Sequence, residues 1–174
     1  MIQNSKEVYK MRFDRFTLKA QEAVQTAQKI AEKYNHQAIE PEHLLSALLD
    51  QEGGIVPSIL QKIGVNPANV HQRMESEIER MPKQYGATAQ IYVSANLKKI
   101  FDNAWDEAQR LKDEYLSTEH LLLAISEQKD SPTGKIMREL GADKDSLFKA
   151  LVDVRGSKRV TDQNPEDKYQ ALKR

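Results

Sequence analysis

No cysteine occurs in the 174 residues, which excludes disulfide staples, thiolate metal ligands and a thiol nucleophile. An excess of one charge is also missing, since Lys+Arg and Asp+Glu each number 26. A balanced chain has no broad field to draw in nucleic acid, a membrane surface or a strongly charged substrate, so neither nucleic acid nor membrane is expected as a partner. No apolar run reaches the length of a membrane span and no signal-peptide pattern leads the chain, so the sequence reads as a soluble, cytoplasmic protein. A phosphate-binding loop is lacking too. It needs Gly-x-x-x-x-Gly-Lys-Ser/Thr so that backbone N–H groups wrap the phosphates. The only Gly-Lys pair is Gly134-Lys135, with Lys129 in place of the first glycine and Ile136 in place of the hydroxyl residue.

What the chain does have is a copy of itself. Glu42-His43-Leu44-Leu45-x-Ala47 returns as Glu119-His120-Leu121-Leu122-x-Ala124, a shift of 77 positions (120 minus 43). The same shift superposes Ala27 on Ala104, Ala31 on Ala108, Ile59 on Ile136 and Gly64 on Gly141 without a gap. A period of 77 exceeds the roughly 20–50 residues of solenoid repeats. The expected object is a duplicated four-helix unit with a seam between its halves.

Periodicity supports an all-α fold. From Thr17, a plausible N-cap, the residues Ala20, Ala23, Val24, Ala27, Ile30, Ala31 and Tyr34 share one stripe, the signature of an amphipathic helix. Its copy starts at Ser94 and places Leu97, Ile100, Phe101, Ala104, Ala108 and Leu111 on the matching stripe. The second helix of each half opens at the repeated Glu-His, with Glu40 or Ser117 as cap and Pro41 at the first helical position. Glu42 and Glu119 fall in the first turn, where a carboxylate meets unpaired N–H groups. Shorter helices then end at Gly64 and Gly141, each placed for a left-handed cap, and the last helices cover roughly 67–80 and 144–154. The best strand candidate is Gln90-Ile91-Tyr92-Val93, in a connector running from Pro82 to Val93.

Catalysis lacks parts. His36, His43, His71 and His120 include no pair at the i, i+4 spacing by which one helix presents two metal ligands. His43 and His120 are related by the duplication, so they are expected to occupy equivalent first-turn sites, packing or bonding locally. Glu42 and Glu119 as a general acid/base pair would still need a nucleophile or oxyanion device. A metal-dependent enzyme and a helical DNA-binding regulator are the alternatives from other classes.

Phe16-Thr17-x-x-Ala20, the two Glu-His-Leu-Leu helices, the Gly64 and Gly141 stops and the tail Val160-Thr161-Asp162-Gln163-Asn164-Pro165 together resemble the N-terminal domain of ClpB-type disaggregases. The resemblance implies an eight-helix Clp N-terminal domain with pseudo-twofold symmetry, over residues 11–155 with repeats at about 17–80 and 94–155. Residues 1–10 would be a disordered extension, and residues 156–174 a linker toward an AAA+ module. It implies a recognition domain without catalysis or cofactor of its own, ATP and magnesium belonging to the AAA+ modules. Its partners would be unfolded or aggregated clients, with the full-length protein a homohexamer working beside a DnaK-type chaperone and the isolated domain a monomer. Thr17, Asp113 and Glu119 stand at positions that the resemblance implicates in substrate handling, and Leu18, Leu97 and Ile100 are expected to line an apolar groove. A ClpC- or ClpA-type domain that binds adaptors and degrons is the runner-up.

Overall fold

The computed structural model describes residues 13–85, 90–156, 158–166 and 169. Each half opens on a hydroxyl cap. Thr17 Oγ1 accepts the Ala20 N–H at 3.2 Å and starts α1, Leu18–Lys33. Three more helices follow: α2 Pro41–Asp50, α3 Val56–Lys62 and α4 Pro67–Arg80. In the second half Ser94 Oγ accepts the Leu97 N–H at 3.1 Å and starts α5, Ala95–Arg110. It is followed by α6 Thr118–Glu127, α7 Pro132–Glu139 and α8 Lys144–Arg155.

The starts of α1 and α5, α2 and α6, and α4 and α8 keep the 77-residue offset. So do the stops. Gly64 and Gly141 both take positive φ, 80° and 90°, the left-handed conformation that costs a residue without Cβ little. Helix α7 begins earlier than its pattern of apolar residues suggests, because Ser131 caps it by accepting the Thr133 N–H at 3.2 Å and Pro132 suits the first turn.

The halves are interlocked. The two-residue strands β1, Ala38–Ile39, and β2, Tyr92–Val93, pair in parallel with Ile39 opposite Val93. Phe16 pairs in parallel with Leu116, and the 77-residue shift turns Phe16 into Val93 and Ile39 into Leu116. The lead-in to the first helix of each half is therefore hydrogen-bonded to the lead-in to the second helix of the other. Packing repeats this crossing: α1 lies on α2 and on α6, α5 on α6 and on α2, and α2 meets α6 at the centre. Further out α3 meets α8, and α4 meets α7. The core between them is built from Leu44, Leu45, Leu48, Leu121, Leu122 and Met74, with the small face of Ala20, Ala23, Ala27 and Ala31 letting α1 approach closely.

Two expectations need correction. Leu97 and Ile100 do not reach the surface: both have no exposure and belong to the core, because α5 turns that stripe onto α6 and α2. The segment after Arg155, expected as a linker, is packed where described. Val160 and Glu166 are fully buried and Tyr169 is 1% exposed. Its backbone is tied down by Glu114 N–H to Val160 C=O at 2.7 Å and Leu18 N–H to Gln163 C=O at 2.9 Å. The second bond satisfies one of the donors that α1 leaves unpaired at its start. Residues 1–10, the expected extension, lie outside the described residues.

Candidate functional site

The chemistry concentrates at the starts of α2 and α6, where the duplicated Glu-His stands. In α6, His120 Nδ1 accepts the Ser117 backbone N–H at 2.8 Å, the reciprocal half of a capping box with an imidazole in place of the usual Glu or Gln. With Nδ1 so engaged, the ring proton sits on Nε2 and is donated to Asp113 Oδ2 at 2.7 Å. Asp113 also accepts both arms of the Arg155 guanidinium, at 2.9 and 2.6 Å, and the Val160 N–H at 2.8 Å. Burial by itself would raise this carboxyl, but the bonds from His120, Arg155 and Val160 outweigh it and hold Asp113 below the usual carboxylate range.

Arg155 is thereby the hinge of a buried ion cluster. Its remaining donor capacity goes to the Lys158 carbonyl at 3.2 and 3.0 Å, it stands 3.9 Å from Glu119, and its guanidinium lies 6.0 Å from the Tyr169 ring centroid. Glu119 is 1% exposed, and neither of its oxygens has a hydrogen-bond partner among the described residues. Next to it Glu166 Oε1 accepts from the Thr17 hydroxyl at 2.9 Å and from the Thr118 N–H at 3.4 Å. Burial and then the charge of Glu119 push the Glu166 carboxyl up to about 7. Thr17 thus serves two purposes, capping α1 and fastening the C-terminal segment.

In α2 the same plan has other partners. His43 Nδ1 accepts the Glu40 N–H at 2.9 Å, and His43 Nε2 lies 2.9 Å from His36 Nδ1. The 77-residue shift maps His36 onto Asp113, so a second imidazole replaces the carboxylate. Burial, and then the neighbouring His36, lowers His43 to about 4; burial, and then the charge of Lys83, lowers His36 as well. The pair is neutral at pH 7, with His43 donating to His36. Glu42 is 4% exposed, and burial raises its carboxyl. Among the described residues no three His, Cys, Asp or Glu side chains are grouped to hold a metal.

The Clp repeat (R) N-terminal domain profile matches residues 15–140, the stretch that contains both helix starts. The chain belongs to that family. It is 40% identical over 168 residues to the chaperone protein ClpB of Nitratidesulfovibrio vulgaris, an alignment covering 94% of this chain and 19% of that protein. The chain thus spans about a fifth of the length of the curated relatives it matches. Among solved structures, the Hsp104 N-terminal domain from Candida albicans superposes with a TM-score of 0.77 at 20% identity, covering 87% of this chain and 98% of that one. The N-domain of ClpV in complex with a VipB peptide superposes with a TM-score of 0.68 at 21% identity, over 82% and 88%. These two likenesses establish the fold of the Clp repeats.

Of the six residues singled out in the sequence, Thr17 and Glu119 come together at the start of α6, and Asp113 joins them through Arg155. Leu18 lies beside them and is 53% exposed, while Leu97 and Ile100 lie inside. Sequence reasoning missed Arg155, Glu166 and Tyr169. Asp113 stands seven residues before His120 as His36 stands seven before His43, a spacing visible in the sequence, whereas Arg155 maps onto Ile78 and the repeat carries no signal for it.

Proposed function

We propose that this Clp repeat domain is the client-recognition part of a ClpB-type disaggregase, holding exposed apolar segments of unfolded or aggregated proteins and passing them to an AAA+ hexamer. The observation that carries the reading is the 40% identity to a chaperone protein ClpB along nearly the whole chain. The peptide bound to a ClpV N-domain of the same fold supports a passive peptide-binding surface. In this reading the domain turns nothing over. The nucleotide, its magnesium, the hexamer and any DnaK-type partner belong to the longer protein in the cytoplasm.

Leu18 is the residue that meets the client directly, because it presents an apolar side chain at the corner where α1, α6 and the C-terminal segment converge. Thr17, Asp113 and Glu119 shape that corner from beneath. A module that hands its client onward gains nothing from very tight binding, so the expected dissociation constant is micromolar or weaker, about −8 kcal/mol or less in magnitude. Affinity should change little with salt, since apolar burial dominates. Titration of the domain with a permanently unfolded, reduced and alkylated protein checks this: amide shifts centred on Leu18 that weaken in Leu18→Ala are expected. Absence of any binding at millimolar client overturns the reading.

A further inference from the structure

The duplication also lets the outer faces of the two halves be compared. Along α8, Phe148 and Val152 stand one helical turn apart and are 37% and 46% exposed. The 77-residue shift sets them against His71 and Glu75 of α4 (148 minus 77, 152 minus 77). Those two are polar and engaged: His71 meets Asp50 at 2.9 Å and Glu75 at 3.5 Å. The repeat therefore folds with polar side chains at this place and does not need an apolar pair there. Beside the pair lies a notch of about 160 Å³, lined by Leu111, Leu151, Lys158 and Arg159 together with Phe148 and Val152. A cavity of about that size holds a benzene-sized group, so the notch admits one leucine or phenylalanine side chain.

The cations set this half apart as well. Lys158 and Arg159 are exposed, and they stand where the first half has Met81 and Pro82 (158 minus 77, 159 minus 77). Arg155 holds the Lys158 carbonyl at 3.2 and 3.0 Å, which seats this stretch at the end of α8, while its own charge is answered by Asp113. We infer that this face of α8 docks an amphipathic helix of a partner protein, one whose first turn is acidic and whose following turns carry an apolar pair four residues apart. Laid antiparallel to α8, such a helix brings its first turn, where carboxylates are favoured in any case, to Lys158 and Arg159. Its apolar pair covers Phe148 and Val152, and one member fills the notch. The reverse orientation sets the acidic turn against Asp145 in the first turn of α8. Residues 170–174 of the chain itself do not answer the charge, since they carry Lys173 and Arg174 and no acid. The surface makes no use of Leu18 and goes beyond the client-binding reading.

The test titrates the 174-residue chain with three alanine-rich helical peptides, followed by fluorescence anisotropy and amide shifts. The first carries glutamates in its first turn and two leucines four positions apart; the second has glutamine for glutamate, and the third alanine for leucine. The first is expected to shift Leu111, Phe148, Val152 and Lys158. In low salt it should bind roughly three- to tenfold more tightly than the second, as two exposed ion pairs allow, with the gap closing as salt is added. The third should not bind. Phe148→His with Val152→Glu, which copies the first half, should abolish binding while the helical circular dichroism is kept. Lys158→Glu with Arg159→Glu should remove the preference for glutamate over glutamine. Equal affinity for the first two peptides in low salt, shifts centred on Leu18, or binding unaltered in both double variants overturns the inference. So does a dimer in sedimentation that the Phe148→His, Val152→Glu chain no longer forms, because a second copy is then what covers the face.

Discussion

His36 Nδ1 lies 2.9 Å from His43 Nε2, in the register where Asp113 Oδ2 lies 2.7 Å from His120 Nε2. One half fixes its helix-capping imidazole with a neutral ring, the other with a carboxylate in an ion cluster. The same backbone plan therefore answers acid in two different ways.

His43 titrates at about 4 in the fold and near 6.5 in the unfolded chain. Between those values the unfolded state binds more protons, so stability is present in full above pH 6.5 and is lost as pH falls toward 4. The loss by pH 5 is about 2 kcal/mol, and the lowered His36 adds to it in the same direction. Urea midpoints at pH 7 and pH 5 measure the effect. His36→Asp, which copies the second half, should raise the His43 pKa and flatten the dependence.

Glu166 behaves with the opposite sign. Its carboxyl titrates at about 7 in the fold against an ordinary value near 4.3, so its contribution favours docking below that ordinary value and is lost as pH rises through 7. The segment around Val160 to Glu166 should loosen from the body progressively as pH rises from about 4.3 to about 7, with little further change above that. Amide exchange at Leu18 and Thr118, compared between the parent chain and Glu166→Gln at each pH, should show protection retained in the variant at pH 8 and lost in the parent.

Asn35 and Lys112, related by the 77-residue shift, both have positive φ, 60° and 57°. They end α1 and α5, where His36 N–H returns to Ala31 C=O and Asp113 N–H to Ala108 C=O at 2.8 Å. Asparagine tolerates this conformation, whereas lysine pays roughly 1 kcal/mol for it. Lys112→Gly should stabilise the domain by about 0.5–1 kcal/mol and Lys112→Ala should not, as thermal unfolding will report.

Leu97→Ala and Ile100→Ala should each destabilise by about 2–5 kcal/mol, since both side chains are fully enclosed and their removal leaves cavities. Leu18→Ala should change stability by less than about 0.5 kcal/mol and instead weaken client binding. Chemical denaturation and client titration on the same three variants separate core from contact surface.

The helical architecture was legible because caps and stripes act locally: Thr17, Ser94 and the two glycine stops each settle their own turn of helix. The roles of Leu97 and Ile100 were not, because an apolar residue at helical spacing looks the same whether it faces a neighbour helix or an open groove. Glu166 was hidden for another reason. Its polar, turn-rich surroundings have the composition of a linker, and only the distant Thr17 hydroxyl and Thr118 N–H give its carboxylate a buried place. His36 carried no signal alone and gained one only once the shift set it against Asp113.

The crossed pairings of Phe16 with Leu116 and Ile39 with Val93 bear on how such a molecule could arise. A solitary repeat would reach the α2 position with its lead-in strand unpaired and the side of its leucine-rich helix bare. Two identical copies meeting about a dyad would satisfy both needs, each lending the other what its own chain cannot supply. Gene duplication then converts an equilibrium between separate subunits into a covalent certainty, and once the two copies no longer have to be identical, one is free to bury a later stretch of chain against its helix start.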